Sequence, residues 1–275
     1  MEKKSKNKNV FIAGITSGIG EDLAQLYLED GAAVSGTYRN RLDVREVDEA
    51  INAYFLDLTK PSSLGRLCHN LESNNYQWDV LVISIGALEP ISSFLATDFN
   101  VWKQSFDVNF FGQLQLLHSL HSFHAPDSTV IFFTGGAPNG VLEQYSAYSV
   151  AKIGLTKMVE YLDYEDENVK YVIIGPGWVN TKIHEQTIRA SEKAGFNLDR
   201  TEEFLKKEGE GTPILEIYDC IGWLVDKPKV IVGGRNFSVV WDDWKASNGS
   251  ATLLTQLKND KDLYKLRRQE PCGFK

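Results

Sequence analysis

The sequence has few cysteines and no paired cysteine motif. Its 275 residues contain three, Cys68, Cys220 and Cys272, at wide spacing and without a CxxC pair. An odd number of separated thiols argues against both a disulfide framework and a zinc site. We therefore expect a cytoplasmic protein, kept reduced, with no bound metal.

The sequence also lacks a long apolar run. No segment reaches the roughly 20 apolar residues that a membrane-spanning helix needs. The opening residues, MEKKSKNKN, are basic and lead directly into a β-branched run, without the apolar stretch of a signal peptide. We predict a flexible, solvated leader over residues 1–9 and no membrane partner.

The sequence has fewer basic than acidic residues. The chain carries 29 Lys and Arg against 37 Asp and Glu, a formal net charge of -8 at pH 7. General nucleic-acid binders need a cationic surface to displace counterions from phosphates, so we expect no nucleic-acid partner. An anionic small molecule would need a local cationic site.

The chain does contain short β-branched or aromatic runs that alternate with longer helical patterns, which is typical of βαβ units on a parallel sheet. The predicted strands are Val10–Ala13, Ala33–Thr37, Ala53–Leu56, Val80–Ser84, Thr129–Phe133, Val169–Ile174 and Val230–Val232. The predicted helices are Ile19–Leu28, Ser62–Leu71, Phe99–Phe123 and Tyr148–Tyr164. This pattern predicts an α/β fold, a doubly wound, mainly parallel seven-stranded sheet with helices on both faces in three layers.

One domain is expected over residues 10–242, since 43% hydrophobic content supplies a sizeable core. Residues 182–212 are rich in charge and glycine and have the weakest periodicity, so we predict a mobile loop over the carboxyl edge of the sheet. Residues 243–275 form a C-terminal extension with a predicted helix over Thr252–Arg268.

The first strand runs into a glycine-rich turn, and a helix follows at once. The turn reads Gly14-Ile15-Thr16-Ser17-Gly18-Ile19-Gly20. Glycines let the backbone approach a pyrophosphate closely, and the free amides of the new helix bind its charge. Because the strand and the helix flank the turn as required, we predict a dinucleotide site here.

At the end of the second strand the chain reads Tyr38-Arg39-Asn40, without the acid that binds the ribose hydroxyls of NAD. The guanidinium of Arg39 suits a phosphate, which favours NADP, with NAD as the alternative cofactor. The competing interpretation of Arg39 is a solvated surface side chain.

Tyr148 and Lys152 are spaced to stack on one face of a helix. A nearby ammonium favours the phenolate and lowers the pKa of a phenol from about 10. Reduction of a carbonyl needs such a proton donor, because oxygen must be protonated as hydride reaches carbon.

With the glycine turn, this pair resembles the short-chain dehydrogenase/reductase family from Val10 to about Asp242, which implies a Rossmann-type fold. The resemblance implies that Tyr148 is the acid/base, that Lys152 holds the nicotinamide ribose, and that Asn109 organises a proton-relay water. It implies Asp57 as the adenine-contacting acid and Thr181 as the carboxamide contact. The implied cofactor site comprises Gly14, Thr16, Ser17, Gly18, Ile19, Gly20, Tyr38, Arg39, Asp57, Leu58, Ser84, Ile85, Gly86, Tyr148, Lys152, Pro176, Gly177, Val179 and Thr181.

The chain departs from the family at two points. The family's NNAG segment reads Ile83-Ser84-Ile85-Gly86, without the amide that braces the sheet. The catalytic serine is replaced: either Gly135 occupies its position, or Thr134 supplies the hydroxyl. We favour Thr134, and Ser146 is a third, weaker candidate.

Two other features have functional and structural interpretations. His118, His121 and His124 lack a nearby acidic or thiol ligand, so we expect no metal there. Trp241 and Trp244 with their carboxylate neighbours suit a sugar, and the alternative is subunit or core packing.

The sequence therefore predicts an NADP-dependent oxidoreductase that transfers a hydride between a nicotinamide cofactor and a carbonyl or secondary alcohol, with a sugar-derived substrate as one interpretation. A nucleotide-sensing protein with weakened catalysis is the alternative, and a sugar epimerase or dehydratase is disfavoured by the glycine spacing. The expected partners are a small-molecule substrate and further copies of the chain, in a homodimer or homotetramer.

Overall fold

The strands form where β-branched and aromatic residues run together, because such side chains pack well on a covered sheet. In the computed structural model, which describes residues 5–16, 18–40, 47–135, 140–207, 209–245 and 247–268, these runs make seven strands. They are β1 (Asn9–Ala13), β2 (Ala33–Tyr38), β3 (Asn52–Phe55), β4 (Trp78–Ile83), β5 (His124–Phe133), β6 (Lys170–Gly175) and β7 (Asn236–Ser238). All neighbours pair in parallel in the order β3-β2-β1-β4-β5-β6-β7, which confirms the predicted fold.

The helices follow apolar patterns with helical spacing. The α-helices of the described residues are α1 (Ile19–Glu29), α2 (Pro61–Ser73), α3 (Phe99–Phe106), α4 (Gly112–Leu120), α5 (Ser146–Glu165), α6 (His184–Ala190), α7 (Phe196–Lys206), α8 (Ile214–Asp226), α9 (Lys229–Val232) and α10 (Ser247–Asn259). A π-helical turn over Asp107–Phe111 joins α3 to α4. Among the described residues, no helix is long and apolar enough to cross a membrane.

Alternate side chains of β1 enter two separate cores, one on each face of the sheet. Val10 and Ile12 pack with residues of α1 and α8. Phe11 and Ala13 pack on the other face with residues of α2, α4 and α5. The connections reverse direction between β1 and β4, so the carboxyl ends of these strands border a crevice where ligands of such sheets bind.

The seventh strand was predicted at the wrong place. Val230–Val232 belongs to α9, which begins directly after Pro228, and short apolar runs do not distinguish helix from strand by periodicity. The strand that completes the sheet is β7, which pairs with β6 from Ile173↔Asn236 onward.

Parts of the predicted leader and of the C-terminal extension are attached to the fold. Ser5 is buried, its N–H donates to the Asp30 carboxylate at 2.6 Å, and its hydroxyl bonds to Tyr218 at 3.1 Å. Ser5, within the leader predicted over residues 1–9, is therefore fixed to the fold.

The C-terminal extension shares the core of the domain. Leu253 and Leu257 on α10 are buried in the cluster that contains β1. Arg235 donates hydrogen bonds to the carbonyls of Leu257, Asp260 and Leu263. The helix predicted over Thr252–Arg268 lies instead over Ser247–Asn259, because the Asp260 carboxylate accepts two following backbone N–H groups and ends it.

Candidate active site

The glycine turn after β1 has the backbone geometry that only glycine adopts readily. Gly14 and Gly18 have φ angles of 97° and 48°, in the left-handed region. The N–H groups of Gly14 and Ile15 donate to the carbonyl of Thr37, which ties the turn to β2. A side chain on Gly20 would overlap the carbonyl of Gly14, so the turn and α1 are in direct backbone contact.

Thr181 lies across the turn from its central glycine. The Cβ and methyl carbon of Thr181 are each 2.8 Å from the position that a Cβ on Gly18 would occupy. Ile19 opens α1 and packs against the core, and Thr16 is half-buried in the turn. Ser17, also predicted for this site, lies outside the described residues. The two segments expected to hold the pyrophosphate and the nicotinamide carboxamide are thus adjacent.

The end of β2 leaves a cation at the edge of the site. Arg39 is exposed and follows Tyr38, whose ring packs edge-on against Phe55 at 5.9 Å. Within the described part of the chain, no carboxylate pairs with Arg39. None of the described carboxylates therefore competes with an anionic ligand for the Arg39 guanidinium.

The acid predicted to contact adenine is held by its own loop. The Asp57 carboxylate accepts from the Thr59 hydroxyl at 2.6 Å and pairs with Lys60 at 3.1 Å. The hydrogen bond from Thr59 is the main cause that holds the pKa of Asp57 below its ordinary value. Asp57 is thus an ionised acceptor, and Leu58 beside it packs against Gly112.

Two side chains brace the segment after β4, where the family's amide is absent. The Ser84 hydroxyl donates to the carbonyl of Ala13 at 2.7 Å and links β4 to β1. The buried amide of Gln113 donates to the carbonyl of Ile85 at 2.8 Å. Sequence reasoning missed Gln113, although its spacing of four residues from Asn109 places both on one helix face.

Asn109 sits in the π-helical turn and holds the same segment. Its amide donates to the carbonyl of Ala87 at 2.8 Å and to the Ser105 hydroxyl at 3.0 Å, and its oxygen accepts the Ala87 N–H at 3.0 Å. A Cβ on Gly86 would lie 3.6 Å from the Asn109 oxygen and 3.9 Å from the Lys152 ammonium. The structure thus brings Gly86, Asn109 and Lys152 together, and the proton-relay role of Asn109 stays a prediction.

Tyr148 and Lys152 lie together on α5, both buried. The Lys152 Nζ is 5.8 Å from the centroid of the Tyr148 ring and donates to the carbonyl of Phe133 at 2.9 Å. The expected lowering of the phenol pKa is not found. Burial raises the pKa of Tyr148 to about 12 and lowers that of Lys152 to about 7, because the charged form of each group loses its water.

The three candidates for the missing serine lie in different places. The Thr134 hydroxyl is 3.5 Å from that of Thr156, and its methyl group faces Gly175. The Ser146 hydroxyl accepts from the indole of Trp102. Gly135 lies against Tyr148, because a Cβ there would overlap the phenol oxygen. The residue beside the phenol is therefore Gly135, the alternative less favoured from sequence.

The loop after β6 forms the other wall of the crevice. Gly177 has a φ of 77° and abuts Thr212 and Val240, and Val179 is buried in the core next to α8. Pro176, predicted here as well, is half-buried.

Helices α6 and α7 lie within the segment predicted as a mobile loop, and they cover Tyr148. The Gln186 side-chain oxygen accepts the Leu88 N–H at 2.7 Å, and the Thr187 hydroxyl bonds to that of Tyr145 at 2.8 Å. Tyr145 and Leu88 pack with Tyr148 in one apolar cluster. We name residues 182–212 the lid, whose mobility stays a prediction. Sequence reasoning missed Gln186 and Thr187, which the weak periodicity of the lid conceals, and also Tyr145, which directly precedes α5.

Of the histidines and tryptophans singled out from the sequence, His121 and Trp244 make structural contacts. His121 bonds to the Asp166 carboxylate at 2.8 Å, and no metal-binding cluster occurs among the described residues. Trp244 is buried and its indole donates to the carbonyl of Val239, whereas Trp241 is 85% exposed. Core packing is thus the role of Trp244.

The fold and the site define a dinucleotide-dependent oxidoreductase. The chain belongs to the short-chain dehydrogenase/reductase family, since residues 14–239 match the family model described as enoyl-(acyl carrier protein) reductase. It is similar to an uncharacterised oxidoreductase of Saccharomyces cerevisiae, 27% identical over 64% of this chain and 72% of the relative. It is also similar to the benzil reductase ((S)-benzoin forming) of that yeast, 25% identical over 72% of this chain and 81% of the relative.

Solved structures show the same fold. A short-chain dehydrogenase/reductase from S. cerevisiae matches with a TM-score of 0.73 and 21% identity, over 89% of this chain and 99% of its own. A putative short-chain dehydrogenase from Shigella flexneri, complexed with NADP, matches with a TM-score of 0.72 and 18% identity, over 87% of this chain and 99% of its own. The chain is thus an NAD(P)-dependent enzyme of this family by both family and fold.

Proposed function

We propose that the protein is an NADP-dependent reductase of ketones, with Tyr148 as the proton donor and Lys152 and Asn109 as its partners. The observation that carries the proposal is the buried Tyr148–Lys152 pair beside Gly86, at the carboxyl edge of the sheet. The glycine turn suits a pyrophosphate, because Gly14 and Gly18 adopt positive φ angles directly before α1, and the backbone N–H groups at the start of a helix bind anions.

The reaction adds a hydride to the carbonyl carbon and a proton to its oxygen, which gives the secondary alcohol. A bound nicotinamide dinucleotide supplies the hydride. Tyr148 supplies the proton, and a pKa of about 12 keeps its phenol protonated at neutral pH. Lys152, with a pKa of about 7, returns a proton towards the phenol during turnover at neutral pH. The buried setting excludes water from the transfer.

NADP is the proposed cofactor because Arg39 follows β2 where an NAD enzyme has an acid. A planar guanidinium recognises a 2′-phosphate through charge-assisted hydrogen bonds, whereas the ribose hydroxyls of NAD gain nothing from it. NAD remains the alternative cofactor and is the comparison in the binding test.

The proposed enzyme turns over substrate without the catalytic serine that the family uses. The Thr134 hydroxyl faces Thr156, and Gly135 carries no donor. One preorganised donor is typically worth a factor of about a hundred to a thousand in turnover, so slow catalysis is expected. This property also motivates the second candidate, a nucleotide-sensing protein.

One experiment separates the enzyme from the sensor. NADPH and NADH are titrated by fluorescence, and cofactor oxidation is then followed with a panel of ketones and keto-sugars. The proposal predicts turnover that falls at least about a hundredfold in Tyr148→Phe with cofactor affinity retained. Tight NADPH binding without turnover on any substrate would establish the sensor instead.

Of the two tryptophans that suggested a sugar-derived substrate, the exposed Trp241 still supports it. The buried Trp244 has no face for a ligand, because its indole packs in the core and bonds to Val239. Keto-sugars therefore stay in the test panel as the competing substrate class.

We also propose a homodimer or homotetramer in the cytoplasm. Phe99 and Phe111 are 61% and 56% exposed, and Val150 on the adjacent α5 is 50% exposed. Covering such apolar surface favours self-association. Light scattering after size exclusion tests this, and Phe111→Glu is expected to yield monomers. The free thiols Cys68 and Cys220 fit a reducing compartment.

A further inference from the structure

Gln113 is a fully buried polar side chain that bonds outside its own helix. It lies at the start of α4 and has no exposed surface. Its amide donates to the carbonyl of Ile85 at 2.8 Å, whereas no described residue donates to its side-chain oxygen. A buried polar atom without a partner costs free energy. Gln113 is therefore costly for the fold, and its contact with Ile85 calls for a functional explanation.

The surroundings of Gln113 would accept an apolar residue. Leu116 and Leu117, one turn further along α4, are buried in the core on that face of the sheet. Gly112, the residue before Gln113, packs against Leu58. Leucine is similar in size to glutamine and has no polar atom to bury, so packing alone favours leucine at this position.

Ile85 belongs to the short segment that borders the proposed cofactor crevice. Residues 84–87 follow β4 directly, at the carboxyl edge of the sheet and next to the end of β1. Dinucleotides bind at this edge in sheets of this kind. Gly86 is exposed and carries no side chain. The segment can therefore offer backbone groups to a ligand.

Two side chains hold the residues on either side of Gly86. Asn109 accepts the N–H of Ala87 and donates to its carbonyl. Gln113 donates to the carbonyl of Ile85. Glycine has the largest conformational freedom of all residues, so the orientation of Gly86 depends on anchors at its neighbours. Asn109 and Gln113 thus fix the two peptide units that flank Gly86.

The bond from Gln113 sets the direction of one free backbone donor. The carbonyl of Ile85 and the N–H of Gly86 belong to one trans peptide unit and point in opposite directions. Because the carbonyl points at Gln113 on α4, the N–H points away from α4. Neither the N–H nor the carbonyl of Gly86 bonds to another described residue. Both groups are therefore open to a ligand.

Resting on the proposed function, we propose that Gln113 is a positioning residue for the cofactor. It does not touch the dinucleotide itself. It fixes the peptide unit between Ile85 and Gly86, so that the Gly86 N–H donates to an acceptor atom of the dinucleotide without reorganisation. Such preorganisation raises affinity, because the segment is already ordered before binding. The unfavourable burial of an amide in α4 is thus offset by tighter cofactor binding.

The test replaces Gln113 with leucine and titrates NADPH and NADH by fluorescence. Both dissociation constants are expected to rise about tenfold, because the Gly86 N–H does not distinguish the 2′-phosphate. Gln115→Leu is the matched control, since it makes the same substitution at an exposed position of α4, and both constants are expected to stay unchanged. Unchanged affinities in Gln113→Leu, or equal weakening in Gln115→Leu, would overturn the proposal.

Thermal melts without ligand separate positioning of the cofactor from support of the fold. Gln113→Leu removes a buried oxygen that no described residue bonds, and water can reach the half-buried Ile85 from the crevice. The Tm is therefore expected to stay unchanged or to rise. Gln113→Met repeats both measurements with an unbranched side chain, in case the branched leucine does not fit. A lower Tm in both variants would assign Gln113 to the fold alone and contradict the proposal.

Failure of this inference differs from failure of the proposed function. If the native protein binds NADPH and reduces ketones, and Gln113→Leu binds NADPH as tightly, the role of Gln113 is removed and the reductase remains. If the native protein binds neither NADPH nor NADH, the proposed function fails and this inference fails with it.

Discussion

Gly135 lies directly against the phenol hydroxyl of Tyr148, and a side-chain carbon at this glycine would occupy the space of that oxygen. The phenol therefore fills part of the volume that a serine side chain would require. Position 135 and the orientation of Tyr148 are consequently coupled, and the simplest repair of the site, reintroduction of the serine, has a steric cost.

Replacement of Gly135 tests this coupling. Gly135→Ala and Gly135→Ser are both expected to lower kcat for ketone reduction about tenfold or more, because either Cβ displaces the phenol from its position. NADPH affinity serves as the parallel measurement and is expected to change little. Gly140→Ala is the matched control, since a Cβ at Gly140 meets no atom of the described residues within 4 Å. Faster turnover in Gly135→Ser would show that the loop moves to admit the hydroxyl.

Thr134→Val, unlike the substitutions at Gly135, is expected to leave catalysis nearly unchanged. The Thr134 hydroxyl contacts that of Thr156 at 3.5 Å, and the residue against the phenol is Gly135, so kcat is expected to stay within about twofold. Loss of this long hydrogen bond costs about 1 kcal/mol or less in the free energy of unfolding. Steady-state kinetics and urea denaturation measure the two quantities. A hundredfold loss of kcat with an intact fold would return Thr134 to the catalytic set.

Arg39→Ala addresses cofactor choice. Loss of a charge-assisted contact of about 1.5–3 kcal/mol is expected to weaken NADPH binding roughly tenfold to a hundredfold and to leave NADH binding nearly unchanged. Fluorescence titration of both cofactors measures the selectivity. Arg66→Ala removes an equally exposed guanidinium from α2 and serves as the control. Equal weakening of both cofactors would contradict the role given to Arg39.

The buried Lys152 predicts a pH-dependent gain in stability for Lys152→Met. Its folded pKa of about 7 lies below the ordinary 10.5, so the full cost of burying the ammonium is present at pH 6. As pH rises above 7 only the unfolded chain still binds this proton, and the cost declines towards pH 10.5. The substitution is thus expected to stabilise the protein without ligand by a few kcal/mol at pH 6 and by less at pH 9.

Thermal melts at the two pH values measure this difference. Lys157→Met, on the same helix but in a partly exposed ion pair with Glu160, is the control and is expected to change stability by no more than about 1 kcal/mol. A gain for Lys152→Met that grows with pH would contradict the assigned direction.

Local patterns predicted most of the fold. The glycine turn, the buried strands and α5 have strong signals, because each combines an apolar run with specific flanking residues. Val230–Val232 shows the limit: its composition favours a strand, whereas Pro228 and the following Gly233-Gly234 turn produce α9 and shift the strand to Asn236. Tertiary context decides such short runs.

The sequence predicted which residues form the candidate site better than it predicted how their side chains are arranged. Tyr148 and Lys152 lie together as their spacing indicated, and Asn109 and Gly86 lie beside Lys152 as the family resemblance implied. Whether residue 134 or 135 faces the phenol depends on the exact end of β5, and the sequence does not specify it. The pKa values depend on tertiary burial, since burial rather than the ammonium determines the shift of the Tyr148 pKa.

The docking of α10 has a consequence for how this protein can be shortened. Leu253 and Leu257 complete the core that contains β1, and Arg235 fastens the end of that helix through three carbonyls. A truncation near residue 243, although it retains the whole family-matching region, would uncover these apolar neighbours and leave a buried guanidinium unsatisfied. Such a fragment is expected to aggregate on expression, so the last helix is integral to the catalytic unit rather than an appendage to it.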